Sequence, residues 1–351
     1  AVFPHTLMIL ITALSLSDAR LYEAADAMGT RAGRKFLTIT LPGAKYGLIS
    51  AALVTFTLVM TDFGIPKVIG GNFNVLATDV FKLVIGQQDF PKGAVVAILL
   101  LAPAVLTFGV DHFVSRRQTA MLTARAVPYA PKASPAYDRL MTLYCGVIAA
   151  LVLAMLGMAV FASLASLWPY NLKPSLRHYE LGLLDAEVGV AFFNSIKMAA
   201  GTALFGTFLV FTGAYLLEKT KGMDNVRGLV RLLAVLPMAV PGLVLGLGYI
   251  FFFNSPSNPL NFLYGTMAIL VICTVSHFYS VSHLTAVTAL KQIDQEFETV
   301  SASLRVPFWR TFTRVTLPVC LPAVLDIAMY LFVNAMTTVS AVVFLYSPHT
   351  T

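Results

Sequence analysis

From Leu232 to Leu290 the chain runs for 59 residues without an Asp, Glu, Lys or Arg. A bilayer core of about 30 Å takes roughly 20 apolar residues as helix. This stretch is therefore too long for one crossing and right for two, and NSPSNP at 254–259 supplies the turn between them. Inside lipid every backbone polar group needs a partner within the chain, so each crossing is expected to be helical. The same reading places spans at about 46–65, 93–114, 140–166, 190–217, 230–252, 263–284 and 320–343, with residues 1–17 as the end of an earlier one. The expectation is an all-α, polytopic membrane protein with eight spans in this chain, the first of them partial.

Composition agrees with that class. The 351 residues are 58% hydrophobic and 12% charged, with a mean hydropathy of +0.79. Soluble domains carry about 25% charged residues, and so few polar side chains do not coat soluble globules of this size. Disordered and collagen-like classes are excluded on the same grounds. The net charge of +7 would raise nucleic acid as a partner in a soluble protein. Here its distribution points to the bilayer, and no nucleic acid is expected. With 18–45 placed in the cytoplasm and sides alternating, the inner loops 18–45, 115–139, 218–231 and 285–318 hold 18 basic residues. The outer loops 66–92, 168–189 and 253–262 hold 5, and Lys197 lies within a span. That asymmetry orients the protein by the positive-inside rule. The chain opens inside an apolar run without an initiator Met, and is expected to be part of a longer protein.

An internal repeat organises the chain. Shifted by 276 residues, Thr12-Ala13-Leu14 falls on Thr288-Ala289-Leu290, Asp18 on Asp294, Arg34 on Arg310 and Phe36 on Phe312. Thr40-Leu41-Pro42 falls on Thr316-Leu317-Pro318, and Met60-Thr61 on Met336-Thr337. Two copies of one membrane domain are expected. Residues 1–114 are the C-terminal part of the first, with about three spans and a polar loop at 18–45. Residues 115–139, with paired Arg, several Ala and three Pro, are a cytoplasmic linker. Residues 140–351 are the second copy without its last span, with the equivalent loop at 285–318.

The polar loop carries a motif. Residues 23–42 read EAADAMGTRAGRKFLTITLP. Helix formers run from Glu23 to Met28, Gly29 breaks the helix, and Leu41-Pro42 closes the segment. Asp18 is placed to cap the helix at its start. The expected form is a short cytoplasmic helix, a glycine turn and an amphipathic lead into the next span. The pattern returns as TVSASLRVPFWRTFTRVTLP at 299–318.

Glu23-Ala24-Ala25, then Gly29, then Ile39-x-Leu41-Pro42 resembles the cytoplasmic loop of permease subunits of bacterial binding-protein-dependent ABC importers, and agrees with it at each of those positions. The second copy departs from the pattern. Thr299, Val300 and Ser301 stand for Glu-Ala-Ala, Arg305 stands for Gly, and Val315, Leu317 and Pro318 close the loop. Asn194-Ser195 at the start of the fifth span and PMAVPGLVLGLGY at 237–249 are also similar to that family. The resemblance implies the helical bundle of a type I importer permease in the bacterial inner membrane. It further implies an ABC ATPase dimer docked on both loops from the cytoplasm, a periplasmic solute-binding protein outside and a small-molecule cargo. This chain would bind no cofactor, ATP being used by the partner subunit. The fused two-copy form is similar to ferric-iron-type permeases. The strings MTDFGIPKVIGGNFNVLATDVFK and VPFWRTFTRVTLPVCLPAVLDIAMYLFVNAMTTVSAVVFLY most resemble a 2-aminoethylphosphonate permease. That cargo is expected, with ferric iron, or a polyamine- or thiamine-like solute, as the alternative.

Other chemistries find little support in the residues. A phosphate-binding loop needs G-x-x-x-x-G-K-[ST], and GTRAGRK at 29–35 has the wrong spacing. His277 and His283 are six apart, off one helical face, with no H-E-x-x-H, and Ser195 lacks a His-Asp pattern. Cys145, Cys273 and Cys320 show neither disulfide nor metal spacing and read as small buried hydrophobes. No enzyme activity is expected. A proton-coupled secondary transporter is the rival by class, and its mark would be an ionisable group at mid-membrane. Asp62 and Lys197 fall near outer span ends, which leaves Asp326, whose repeat partner is Ser50. Pro237 and Pro241 remove backbone donors and kink the sixth span. Gly242, Gly246 and Gly248 permit close helix packing there. Pro237, Pro241, Gly242 and Asp326 are therefore the candidate pathway residues.

Overall fold

The computed structural model describes residues 2–15, 18–121, 134–219, 224–293 and 296–345. The chain begins with α1 (Phe3–Ser15), α2 (Ala19–Ala27), α3 (Ala32–Lys35), a π-helical segment Phe36–Thr40 and α4 (Leu41–Met60). Then come α5 (Gly64–Ile69), α6 (Leu76–Phe81), a second π segment Lys82–Gly86 and α7 (Phe90–Met121). Helix α8 (Pro135–Leu164) leads into a small antiparallel hairpin of β1 (Ala165–Leu167) and β2 (Asn171–Pro174), followed by α9 (Arg177–Leu184) and α10 (Ala186–Lys219). The rest comprises α11 (Asp224–Val235), α12 (Gly242–Phe253), α13 (Met267–Gln292), α14 (Glu296–Ser303), α15 (Phe308–Thr311), a third π segment Phe312–Thr316, α16 (Leu317–Val319) and α17 (Leu321–Thr337).

Five helical stretches among the described residues are long and apolar enough to cross a membrane: 32–60, 90–111, 135–164, 187–219 and 267–292. Two bent pairs raise this to as many as seven, 226–239 with 242–253 at 113° and 308–319 with 321–337 at 74°. With the apolar α1, each expected span falls on a helix or a bent pair. The differences are local. Helix α13 continues to Gln292, eight residues past the expected end of its span, because Ala286 and Leu290 are buried there in the core shared with α10 and α17. The last span ends at Thr337 rather than near 343, and 340–345 are turns. The segment 66–92, read from sequence as a loop, contains α5 and α6. Ala77, Val80 and Val84 there are fully buried, an apolar face that the surrounding Asn, Asp and Lys residues obscured. Asp89 closes this segment by accepting the Lys92 N–H at the start of α7. The side-chain bond from the Lys92 ammonium, at 2.8 Å, holds the Asp89 carboxyl below its ordinary range.

The chain forms two compact units, one of residues 1–13, 45–121 and 194–351, the other of 14–44 and 122–193. The first unit has two apolar cores. In one, Val80, Leu100, Leu243, Leu247, Ile269 and Leu345 come together from α6, α7, α12, α13 and the final turns. It draws on both sides of the 115–139 stretch, and Phe81 stacks on Phe344 with ring centroids 6.3 Å apart. The other packs Val210, Phe211 and Ala214 of α10 against Ala286 and Leu290 of α13 and Ile327 and Leu331 of α17. Gly206 makes that contact close, since a Cβ there would stand 2.7 Å from Leu331 Cδ1. In the second unit Phe161 of α8 meets Trp168 edge-on, with centroids 6.2 Å apart, beside the β-hairpin.

Candidate functional site

Each polar loop folds as a helical hairpin, and the two agree element by element at the 276-residue offset. Helix α3 corresponds to α15, and the π segment Phe36–Thr40 to Phe312–Thr316. In the first hairpin the Asp18 carboxylate accepts the Arg20 N–H at 3.1 Å and caps α2, as its sequence position suggested. Helix α2 turns Ala19, Tyr22 and Ala25 inward. It ends in a left-handed residue, Gly29, at φ +65°. The Gly29 N–H donates to Asp26 O and the Thr30 N–H to Ala25 O, each at 3.0 Å. This pair of bonds is a Schellman cap, which satisfies carbonyls that the end of a helix leaves open.

The second hairpin repeats the turn with other residues. Arg305 holds φ +52° where the first copy has Gly29. The Val306 N–H donates to Ser301 O at 2.9 Å, the equivalent of the Thr30 bond. Arg305 stands in place of the glycine, and the turn keeps its left-handed backbone. Arginine in the left-handed region carries a cost of roughly 1–2 kcal/mol, and the Leu304 N–H still donates to Val300 O at 2.9 Å just before it.

Side-chain pairs clamp both hairpins, and of their members only Ser301 is a motif position. In the first, Lys35 pairs with Asp26, and the Tyr22 hydroxyl lies 2.8 Å from Thr40 Oγ1. In the second, Thr311 bonds Ser301, and these are the repeat positions of Lys35 and Ala25. A charged clamp and a hydroxyl clamp thus occupy the same place. Of all these residues only Thr40 falls within the shared Thr-Leu-Pro.

The outward faces are apolar. Leu21, Ala24 and Met28 are exposed on the first hairpin, and Phe297, Val300 and Leu304 occupy the corresponding positions on the second, also exposed. The i, i+3, i+7 spacing makes each set one stripe. Glu23 and Thr299 flank the stripes and are exposed. Ala25 is buried and Ser301 half-buried beneath them. Ile39, Val315 and Leu317 are half-buried, while Leu41, Pro42 and Pro318 are exposed. The motif therefore divides between residues that hold the hairpin together and residues that present its surface.

The pathway candidates sit differently. Val226–Ala239 and Gly242–Phe253 meet at 113°, a far sharper break than a proline kink alone produces. Pro237 and Pro241 remove two donors, and a neighbouring helix mends part of the gap. The Ser280 hydroxyl donates to Ala234 O at 2.8 Å and accepts the Met238 N–H at 3.1 Å. It stands where a 238→234 helical bond would have run, and Ser280 is almost fully buried. Gly242 and Gly246 pack on the final turns, since Cβ atoms there would stand 2.5 Å from Ser340 Oγ and 2.5 Å from Ala341 O. Gly248 departs from expectation: nothing lies within 4 Å of its Cβ position, and it makes no close packing. Asp326 is exposed on α17, while its repeat partner Ser50 donates to Asp111 on α7. No group of three His, Cys, Asp or Glu able to hold a metal occurs among the described residues.

Apolar spans joined by two copies of a capped polar hairpin define an integral membrane protein. The chain belongs to the family described as the binding-protein-dependent transport system inner membrane component, which it matches over residues 1–120 and 210–350. It is a multi-pass inner membrane protein. It is similar to FbpB 1 of Haemophilus influenzae, named for ferric transport, with 28% identity over 99% of this chain and 55% of that protein. It is likewise similar to the ferric transport system permease protein FbpB of Actinobacillus pleuropneumoniae, with 28% identity over 99% of this chain and 51% of that protein. A third relative, the Fe(3+)-transport system permease protein FbpB 2 of Haemophilus influenzae, is 23% identical over 98% of this chain and 66% of that protein. The chain spans about half the length of the first two. The expectation of a phosphonate cargo finds no support in these relatives, whose names point to ferric iron.

Proposed function

We propose that this chain is part of the permease of an ATP-driven importer, and that its cargo is ferric iron, free or chelated, delivered by a periplasmic binding protein. The observation that carries the permease reading is the duplicated hairpin, the same capped turn with the same outward apolar stripe at two places 276 residues apart. Membership in the family supports it, and the names of the relatives support iron as cargo. In this reading the stripes of α2 and α14 dock on an ATPase dimer in the cytoplasm. Glu23 and Thr299 border the contact, and the turns at Gly29 and Arg305 pass the ATPase motion through the π segments into α4 and α17. The expected domain boundaries, 1–114 and 140–351 around a linker, belong to the same proposal; residues 122–133 of that linker lie outside the described residues. The bend at Pro237, Pro241 and Gly242 is proposed to border the pathway, and Asp326 to be near it.

Deletion of the gene should abolish growth on chelated ferric iron under iron limitation and leave growth on 2-aminoethylphosphonate as phosphorus source unchanged. The opposite pattern would return the cargo to the phosphonate first expected. Normal growth in both media would remove the import assignment.

A further inference from the structure

The second hairpin enters its span through an elbow. Residues 308–319 turn by 74° into 321–337, whereas the corresponding first-copy stretch, 32–60, qualifies as one span-length helix. At the elbow Cys320 and Pro322 stand where the first copy has Ala44 and Tyr46. Pro318 and Pro322, four residues apart, both lack a backbone donor, which favours a break here. Because α17 is part of a span, the arm before the elbow starts at the membrane boundary. Its dozen residues are about 18 Å long, and at this angle they change depth by only about 5 Å. That is comparable to a headgroup layer of about 5–7 Å.

One face of the arm is held by protein. Phe312 meets Tyr215 with ring centroids 4.7 Å apart and Phe211 at 6.0 Å, and Thr311 and Thr316 are buried. The other face carries Trp309, Arg310, Thr313 and Arg314, all exposed. The Arg310 guanidinium lies 5.2 Å from the Trp309 ring centre. From Thr299 to Leu325 the sequence has three arginines and no Asp or Glu, so this surface suits an anion. Past the elbow Leu321, Leu325, Met329 and Val333 form an exposed apolar row on α17, a surface fit for acyl chains. The first copy lacks the device, with Ala32 and Gly33 in place of Phe308 and Trp309.

We propose that the arm 308–319 lies in the headgroup layer of the bilayer, with Trp309 at the interface and Arg310 and Arg314 on the phosphates of anionic lipid. Tryptophan is at home at that depth, and basic side chains are drawn to an anionic leaflet. The arm is then a strut between α14 and α17, braced on lipid on one side and on α10 on the other. This surface is distinct from the α14 stripe proposed to meet the ATPase.

The chain has two tryptophans, Trp168 and Trp309, so Trp168→Phe leaves Trp309 as sole reporter. The full chain is reconstituted in vesicles of phosphatidylcholine, with or without phosphatidylglycerol, brominated either near the headgroup or near the chain end. Shallow bromine should quench Trp309 more than deep bromine does. Quenching should increase when the brominated lipid is phosphatidylglycerol, and the increase should be lost in the double variant Arg310→Gln/Arg314→Gln. Indifference to bromine at both depths, with ready quenching by aqueous acrylamide, would overturn the proposal. So would protection that arises only when the ATPase is added, which would assign the face to a protein partner. The Trp309→Phe protein, reporting Trp168 in the same vesicles, establishes that the chain is inserted and folded.

Discussion

Gly29 and Arg305, 276 residues apart, hold the same left-handed backbone, φ +65° and +52°, at the end of equivalent helices. The residue type differs and the turn does not. A Cβ at Gly29 would meet nothing within 4 Å, so backbone conformation rather than space is what limits substitution there. Asparagine tolerates this region and valine resists it. Gly29→Asn should therefore retain uptake, while Gly29→Val should lower it severely at normal membrane insertion, with a local cost of roughly 1–2 kcal/mol. Arg305→Gly should leave uptake unchanged or slightly improved. Uptake by intact cells, with co-purification of the ATPase, measures each. Full activity of Gly29→Val would remove the turn from the coupling path.

The clamp between Asp26 and Lys35 closes the first hairpin where Ser301 and Thr311 close the second. Both charged side chains keep appreciable exposure, so the pair is worth no more than about 1 kcal/mol. Its proposed role is alignment. Single reversals, Asp26→Lys or Lys35→Asp, should each lower uptake, and the double reversal should restore most of it. A double reversal no better than either single change would show that the charges serve a partner instead.

Ser280 supplies both bonds that span the break after Ala234. Ser280→Ala leaves the Met238 N–H and the Ala234 carbonyl without that partner in an apolar setting, at a cost of about 1–3 kcal/mol. The thermal midpoint of the purified protein in detergent should fall clearly, while Ser282→Ala, whose hydroxyl bonds only within its own helix, should do much less. Equal effects would mean that the hydroxyl at 280 is not what holds the bend.

Gly246 and Gly248 are two residues apart and face different surroundings. A Cβ at 246 would stand 2.5 Å from the Ala341 carbonyl oxygen, and one at 248 meets nothing within 4 Å. Gly246→Ala should destabilise by overpacking, about 1–3 kcal/mol. Gly248→Ala should be neutral or stabilising by up to about 1 kcal/mol through helix propensity. Thermal unfolding of the two variants side by side decides, and the reverse order would contradict the packing of α12 on residues 340–344.

Sidedness rests on the split of 18 inner to 5 outer basic residues. A cysteine at Lys173, in β2, should react with an impermeant thiol reagent in intact cells. Cysteines at Arg125 and Lys221, which lie outside the described residues, should be shielded. Labelling at Arg125 would invert the topology.

The apolar runs, the breaks between them, the repeat and the position of the left-handed turn were all legible in the residues alone. They are local properties. Twenty uncharged residues answer to the thickness of lipid wherever they sit, and Asp18 or Gly29 acts on bonds within a few residues of itself. The neighbours of each span are a different matter. Gly242, Gly246 and Gly248 look alike in sequence, and Ala341, nearly a hundred residues on, separates the two that pack from the one that does not. Ser280 looked like any serine in an apolar helix until Ala234 and Met238 were brought to it. The elbow at Cys320 needed the proline pair to permit a bend and Tyr215 with Phe211 to set where the arm rests. Periodicity and turn chemistry say which face of a helix is apolar. Which other face covers it depends on contacts made across the whole chain, and those only the tertiary structure decides.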